Sequence, residues 1–188
     1  MEHEGEYRKC APEGAPAPDG AGFRALLALP AAEFAARCET ERMQLGGPGG
    51  QHRNRVKTGV RLRYAEWPDL EGVSGESRDG GRNLLAAADQ LRLVAACCLR
   101  HAFPDELPAL PWRADSPVSA EHPLYPLWAS LALDALAEEN GSPAAAARRM
   151  GRTTSSYLRC LRAQKLAWAA AGKIRESLGL PPLKAPGA

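Results

Sequence analysis

Gly46-Gly47-Pro48-Gly49-Gly50-Gln51 runs directly into His52-Arg53-Asn54-Arg55-Val56-Lys57-Thr58-Gly59-Val60-Arg61-Leu62-Arg63-Tyr64. Four glycines and a proline specify a loop, because glycine is the costliest ordinary residue in a helix and proline donates no backbone N–H. Behind the single uncharged amide, Gln51, stand Arg53, Arg55, Lys57, Arg61 and Arg63, with no carboxylate until Glu66. A thin glycine tip on a basic stem suits a phosphate-walled cavity, where backbone must approach closely. Val60 to Tyr64 alternates strictly and predicts a half-buried strand, with Val60, Leu62 and Tyr64 facing the core and Arg61 and Arg63 facing away.

Working outward, Cys38 to Leu45 reads as a strand climbing into the loop. Pro30 to Ala36 predicts a short helix with Pro30 in its first turn. Residues 1–21, rich in Pro, Gly and Glu, predict a disordered leader. Past the strand, Trp67-Pro68-Asp69 turns the chain and Leu70 to Ser74 fits an antiparallel return. Asn83 is then placed as the cap of a long helix whose stripe is Leu84, Ala88, Leu91, Ala95, Cys98 and Ala102. The predicted fold class is α+β: a small mixed or antiparallel sheet packed by a long helix, followed by an all-α module.

Five prolines between 104 and 123 predict a semi-rigid linker. Trp128, Leu131, Ala132, Ala135 and Leu136 then recur at the spacing of an amphipathic helix ending at Asn140-Gly141. Ser142-Pro143 opens another helix, Gly151 closes it, and Thr153 or Thr154 caps the next. Ala147, Gly151, Leu158 and Leu161 fit either a helix-turn-helix or a plain bundle. A last helix carries Ala167, Ala171, Ile174 and Leu178.

The net charge of +2 conceals an asymmetry: residues 141–188 hold nine cations against Glu176 alone, which leaves the first 140 residues net acidic. That distribution favours a polyanion partner over a merely solvated helical face. No apolar run is long enough to cross a bilayer and no basic-then-apolar signal opens the chain, so a cytoplasmic location is expected. An odd count of five Cys without ligand spacing argues against both a disulfide framework and a zinc site. The chain also lacks GxSxG, HExxH and Walker patterns and any carboxylate pair beside the loop, so a stand-alone hydrolase is poorly supported.

Gly49-Gly50-Gln51 with His52, Asn54, Arg55 and Val60-Arg61-Leu62 resembles the catalytic domain of class I peptide-chain release factors and the smaller ribosome-rescue hydrolases. Arg78 with Asn83 five residues later matches the family's approach to its long helix, although Asp79-Gly80 replaces the family's Ser-Gln and Val56 its Thr. The resemblance covers about residues 30–102 and implies a catalytic domain over 22–103; the proline spacing gives the linker over 104–123, and apolar periodicity with the charge run gives a separate basic module over 124–183.

It further implies that Gly49, Gly50 and Gln51 are a catalytic tip inserted into the ribosomal peptidyl transferase centre, where a peptidyl-tRNA ester is cleaved. Gln51 does not titrate near neutrality, but its side chain can position a water and its N–H can stabilise developing negative charge. His52, Arg53, Asn54, Arg55, Lys57, Arg61, Arg63 and Arg78 are the implied contacts to rRNA and tRNA. Arg148, Arg149, Arg152, Arg159, Arg162 and Lys165 are the expected RNA contacts of the C-terminal module, with mRNA channel, rRNA helix and tRNA all open as targets. The family's glutamine is a site of N5-methylation, which adds Gln51 as a modification site and a glutamine methyltransferase as a partner. No metal, cofactor or membrane is implied, and a monomer is expected.

Without a codon-reading element, the expected activity is ribosome-dependent, codon-independent release of peptides from stalled ribosomes. A non-catalytic ribosome- or RNA-binding protein and a helix-turn-helix DNA-binding regulator are the alternatives.

Overall fold

In the computed structural model, which describes residues 20–44, 57–113 and 116–183, three strands form one antiparallel sheet in the order β1 (Glu39–Met43), β2 (Gly59–Arg63), β3 (Glu71–Ser74). The alternation in β2 becomes two faces: Val60 and Leu62 are fully buried, while Arg61 is partly exposed and Arg63 exposed. Tyr64 lies just past the strand, half-buried and packed against Trp67. The turn to β3 closes through Trp67 N–H to Tyr64 O at 2.8 Å and Leu70 N–H to Trp67 O at 3.0 Å.

Seven helices accompany the sheet among the described residues, making the fold mixed α+β: α1 (Gly20–Ala28), α2 (Ala31–Ala35), α3 (Gly80–Cys98), α4 (Tyr125–Glu138), α5 (Pro143–Arg149), α6 (Thr154–Arg162) and α7 (Lys165–Ser177). Helix α3 lies across β2 and β3. The approach depends on Gly72, since a Cβ there would stand 2.0 Å from the Ala87 carbonyl oxygen. Only a residue without a side chain lets strand and helix backbones come that close. Buried Leu62 and Leu91 then contribute on the order of 1.5–3 kcal/mol each.

Several boundaries differ from the sequence reading. Gly20 and Ala21 belong to α1 rather than to a leader, and residues 1–19 lie outside the described set. Pro30 stands at the N-cap of α2 instead of inside a helix, because its fixed φ suits the extended cap. The cap of α3 is Asp79, whose carboxylate accepts the Gly81 N–H at 2.7 Å; Asn83 is inside the first turn and buried. The helix ends at Cys98, and Ala102 is exposed beyond it.

Helix α4 is not amphipathic: every residue from Tyr125 to Leu136 is buried. It packs on α1, α3, α5, α6 and α7, so it needs apolar surface all round. The expected division at 104–123 therefore does not divide the core, which is one contiguous cluster running from Phe23 through Leu91 and Trp128 to Ala171. The proline-rich segment is stitched down as well. Val118 is buried with its N–H on the Cys160 sulfur at 3.4 Å, and Trp112 packs edge-on to His122.

The C-terminal caps follow local chemistry. Ser142 accepts from Ala145 N–H and Thr153 from Ser156 N–H at 3.2 Å, each one residue ahead of its helix. Gly151 closes α5 at φ 65°, and the Arg152 N–H reaches back to Ala147 O at 2.8 Å. Helices α5 and α6, joined by this short left-handed turn, have the connectivity of a helix-turn-helix. No helix among the described residues is long and apolar enough to cross a membrane.

Candidate functional site

Gly49, Gly50, Gln51, His52, Arg53, Asn54 and Arg55 lie outside the described residues. What is described is the foot of their loop. Met43 pairs with Gly59 as the last rung between β1 and β2, so residues 44–58 connect two neighbouring strands at one end of the sheet. Val60 pairs with Ser74, which brings the β3–α3 connection and Arg78 to that same end.

Asn83 organises this end. Its Nδ2 donates to Thr58 O at 2.7 Å and to Ser77 O at 2.9 Å, while its Oδ1 accepts from Ser77 N–H at 3.0 Å and from Ser74 Oγ at 3.4 Å. All four hydrogen-bonding positions of the amide are thus occupied in a residue only 1% exposed. The consequence is a fixed C-terminal foot for the connection, held to the first turn of α3.

Cations gather at this foot. Lys57 and Arg78, both named in the sequence analysis, are exposed. Two that it missed join them: Arg42, whose guanidinium sits where a Cβ on Gly80 would meet it at 2.3 Å, and Arg82, 81% exposed and loosely paired with Asp79 at 3.8 Å. Arg42 was recoverable from the strand prediction, since the last residues of β1 must flank the loop. Arg82 depended on where α3 begins.

Arg61 and Arg63 are placed differently. On the outer sheet face, Arg61 stands between Glu41 at 3.1 Å and Glu71 at 3.2 Å, and Arg63 pairs with Glu71 at 3.2 Å. Such exposed pairs stabilise little, but a phosphate approaching either arginine must compete with a carboxylate.

The C-terminal cations also separate into two groups. Arg152 is buried, donating to Ser116 O at 2.8 Å and Ser156 Oγ at 3.1 Å, with its guanidinium 5.9 Å from the Trp128 ring centre. Arg149 pairs with Glu138 at 2.6 Å and Glu139 at 3.2 Å and lies over Phe103. Arg152 is thus held inside the fold, and the charge of Arg149 is already met by carboxylates. Arg148, Arg159, Arg162 and Lys165 are exposed and carry no ion pair among the described residues.

The titratable groups with displaced pKa values all move away from neutrality. Burial pushes the Cys38 thiol up to about 11 and raises the phenols of Tyr125 and Tyr157. Tyr64 is raised by burial first and by Glu66 second. None of these is an activated nucleophile or a base poised for pH 7. Among the described residues, no cluster of His, Cys, Asp and Glu could hold a metal ion. Compared with family models, with curated proteins and with solved structures, the chain matches none of them.

Proposed function

We propose that this protein hydrolyses the peptidyl-tRNA ester on the ribosome without reading a codon, by inserting the Gly49-Gly50-Gln51 tip into the peptidyl transferase centre. The observation that carries the reading is the Met43–Gly59 rung: the glycine-rich stretch is the connection of a β-hairpin at a sheet end flanked by Arg42, Lys57, Arg78 and Arg82. A glycine-rich connection with a cationic foot fits a reaction whose remaining groups and dry surroundings belong to the rRNA. The resemblance to class I release factors supports the same assignment, with Gln51 as the N–H donor and water-positioning amide and as the methylated residue. In this role the protein acts as a small rescue factor, and the release-factor catalytic fold is the proposed identity of the sheet and α3.

The test is peptide release from purified ribosomes carrying P-site peptidyl-tRNA on stop, sense and truncated messages. Wild-type protein is expected to release peptide on sense and truncated messages, and Gln51→Ala to lose release while still binding ribosomes. Release confined to stop codons would overturn codon independence, and release from free peptidyl-tRNA would overturn the borrowed site. Retention of the full biological effect by Gln51→Ala would mark a non-catalytic ribosome-binding protein instead.

A further inference from the structure

Between Asn140 and Arg175 the chain contains eight cations and no carboxylate. Folding removes three of them from the surface's disposable charge. Arg152 is buried, Arg149 is paired to Glu138 and Glu139, and Arg175 is turned onto the carbonyls of Gly141 and Pro181. Of the five that remain, Lys173 is exposed on α7 and the other four are on or beside α6. Tyr157, Cys160 and Leu161 face the core, so Ser155, Arg159 and Arg162, spaced by four and three residues, share the opposite side. Helix α6 packs between α5, which ends in exposed Arg148 and ion-paired Arg149, and α7, which begins with exposed Lys165.

From this arrangement we propose that the outward face of α6, with Arg148 and Lys165, docks on the phosphate backbone of double-helical RNA. The proposal rests on the ribosomal reading above and names the partner of the C-terminal helices. Charge complementarity selects a polyanion, because a run of eight cations uninterrupted in sequence by a carboxylate repels other cations and attracts phosphates.

Among the described residues this face carries no exposed aromatic, which selects a duplex over a single strand. Single-stranded RNA is held by bases stacking on aromatic rings, and here Tyr157 is fully buried while Trp168 is packed against the core. A message strand in its channel is therefore the poorer fit. Arginines with the hydroxyls of Thr154 and Ser155 suit phosphates and 2′-hydroxyls. The A-form major groove does not admit a helix, so α6 lies along the backbone and sequence preference is weak.

The experiment is fluorescence anisotropy of the full chain with a labelled mixed-sequence RNA duplex of about 20 base pairs, long enough for a shape-reading module. The unlabelled duplex, its single strand and a DNA duplex of the same sequence serve as competitors. The RNA duplex is expected to compete about tenfold better than either of the others, with affinity falling steeply as salt rises. The variant R159A/R162A is expected to flatten the salt slope by about 2, one for each lost phosphate contact. Its thermal melt, unchanged from wild type, would separate lost contact from lost fold. Equal or tighter binding to the DNA duplex, equal binding to the single strand, or an unchanged slope in R159A/R162A overturns the docking. Because no ribosome is present, this measurement and the peptide-release assay fail separately: release without duplex binding sinks the docking alone, and duplex binding without release sinks the hydrolase alone.

Discussion

The side-chain amide of Asn83 donates to the carbonyl oxygen of Thr58 at 2.7 Å across 25 residues of sequence, joining the first turn of α3 to the strand-side foot of the 44–58 connection. Truncation at Asn83 strips partners from Thr58 O, Ser77 O and Ser77 N–H in a buried setting. Asn83→Ala is therefore expected to destabilise the fold by about 3 kcal/mol, since an orphaned buried polar group carries its full desolvation penalty. Urea unfolding measures the loss, and amide exchange at Gly59 and Ser77 should accelerate beyond the global change. A loss within about 0.5 kcal/mol, the range of an ordinary surface substitution, would show that the clamp is idle.

Asp134 binds the N-terminal half to the C-terminal half. Its fully buried carboxylate meets Arg24 at 3.0 Å, Arg100 at 3.1 Å, the His101 N–H at 3.1 Å and Ser130 Oγ at 3.3 Å. Asp134→Ala leaves the Arg24 guanidinium, 10% exposed, without its counter-charge and is expected to cost about 3–5 kcal/mol. Replacing Arg24 as well (Arg24→Met with Asp134→Leu) should recover part of that loss in chemical denaturation, because the more deeply buried cation is then gone and only Arg100, 27% exposed and within reach of water, lacks its counter-charge.

Arg152 and Arg159 are expected to behave oppositely. Arg152→Ala removes hydrogen bonds to Ser116 O and Ser156 Oγ and packing against Trp128, for a loss of about 2–3 kcal/mol. Arg159→Ala removes an exposed side chain and should stay within about 0.5 kcal/mol of wild type. Guanidinium melts of the two variants side by side make the comparison, and equal losses would contradict the division into structural and surface arginines.

Cys38 donates its thiol to Phe34 O at 3.3 Å and its pKa is raised to about 11 by burial. The folded protein thus keeps a proton that the unfolded chain gives up near pH 9, so this group's contribution to stability is lost as pH rises from about 9 through 11. Alkylation at Cys38, followed by peptide mass mapping, should be slow at pH 8 and accelerate only towards pH 11. Rapid modification at pH 8 in the folded protein would contradict the burial.

Features set by a few neighbouring residues were legible in the chain alone. The alternation of Val60 to Arg63 is a local period-2 pattern, and it appears as β2 with the expected faces. Ser142 and Thr153 cap their helices because a hydroxyl reaches an N–H two or three residues on, whatever surrounds it. The turn at Trp67-Pro68-Asp69 and the left-handed Gly151 follow from the same short-range sterics. Strand β1, almost wholly exposed, was recoverable only by its place before the loop.

Tertiary structure decided where charges and amides go, because burial depends on partners distant in sequence. Arg92 illustrates this: it is 1% exposed and caps the carbonyls of Leu27 and Leu29 at the end of α1, although in sequence it is one more polar position on α3. Asn83 reads as a helix cap by residue type, yet sits inside the helix because its amide finds Thr58 and Ser77 across the sheet end. The basic C-terminal run reads as uniform until folding buries Arg152, pairs Arg149 and leaves Arg148, Arg159, Arg162 and Lys165 outside. Composition determined that this chain carries a cationic third and a glycine-rich stretch; only the tertiary partners selected which cations face outward, since desolvating a charge is tolerated solely where fixed partners meet it.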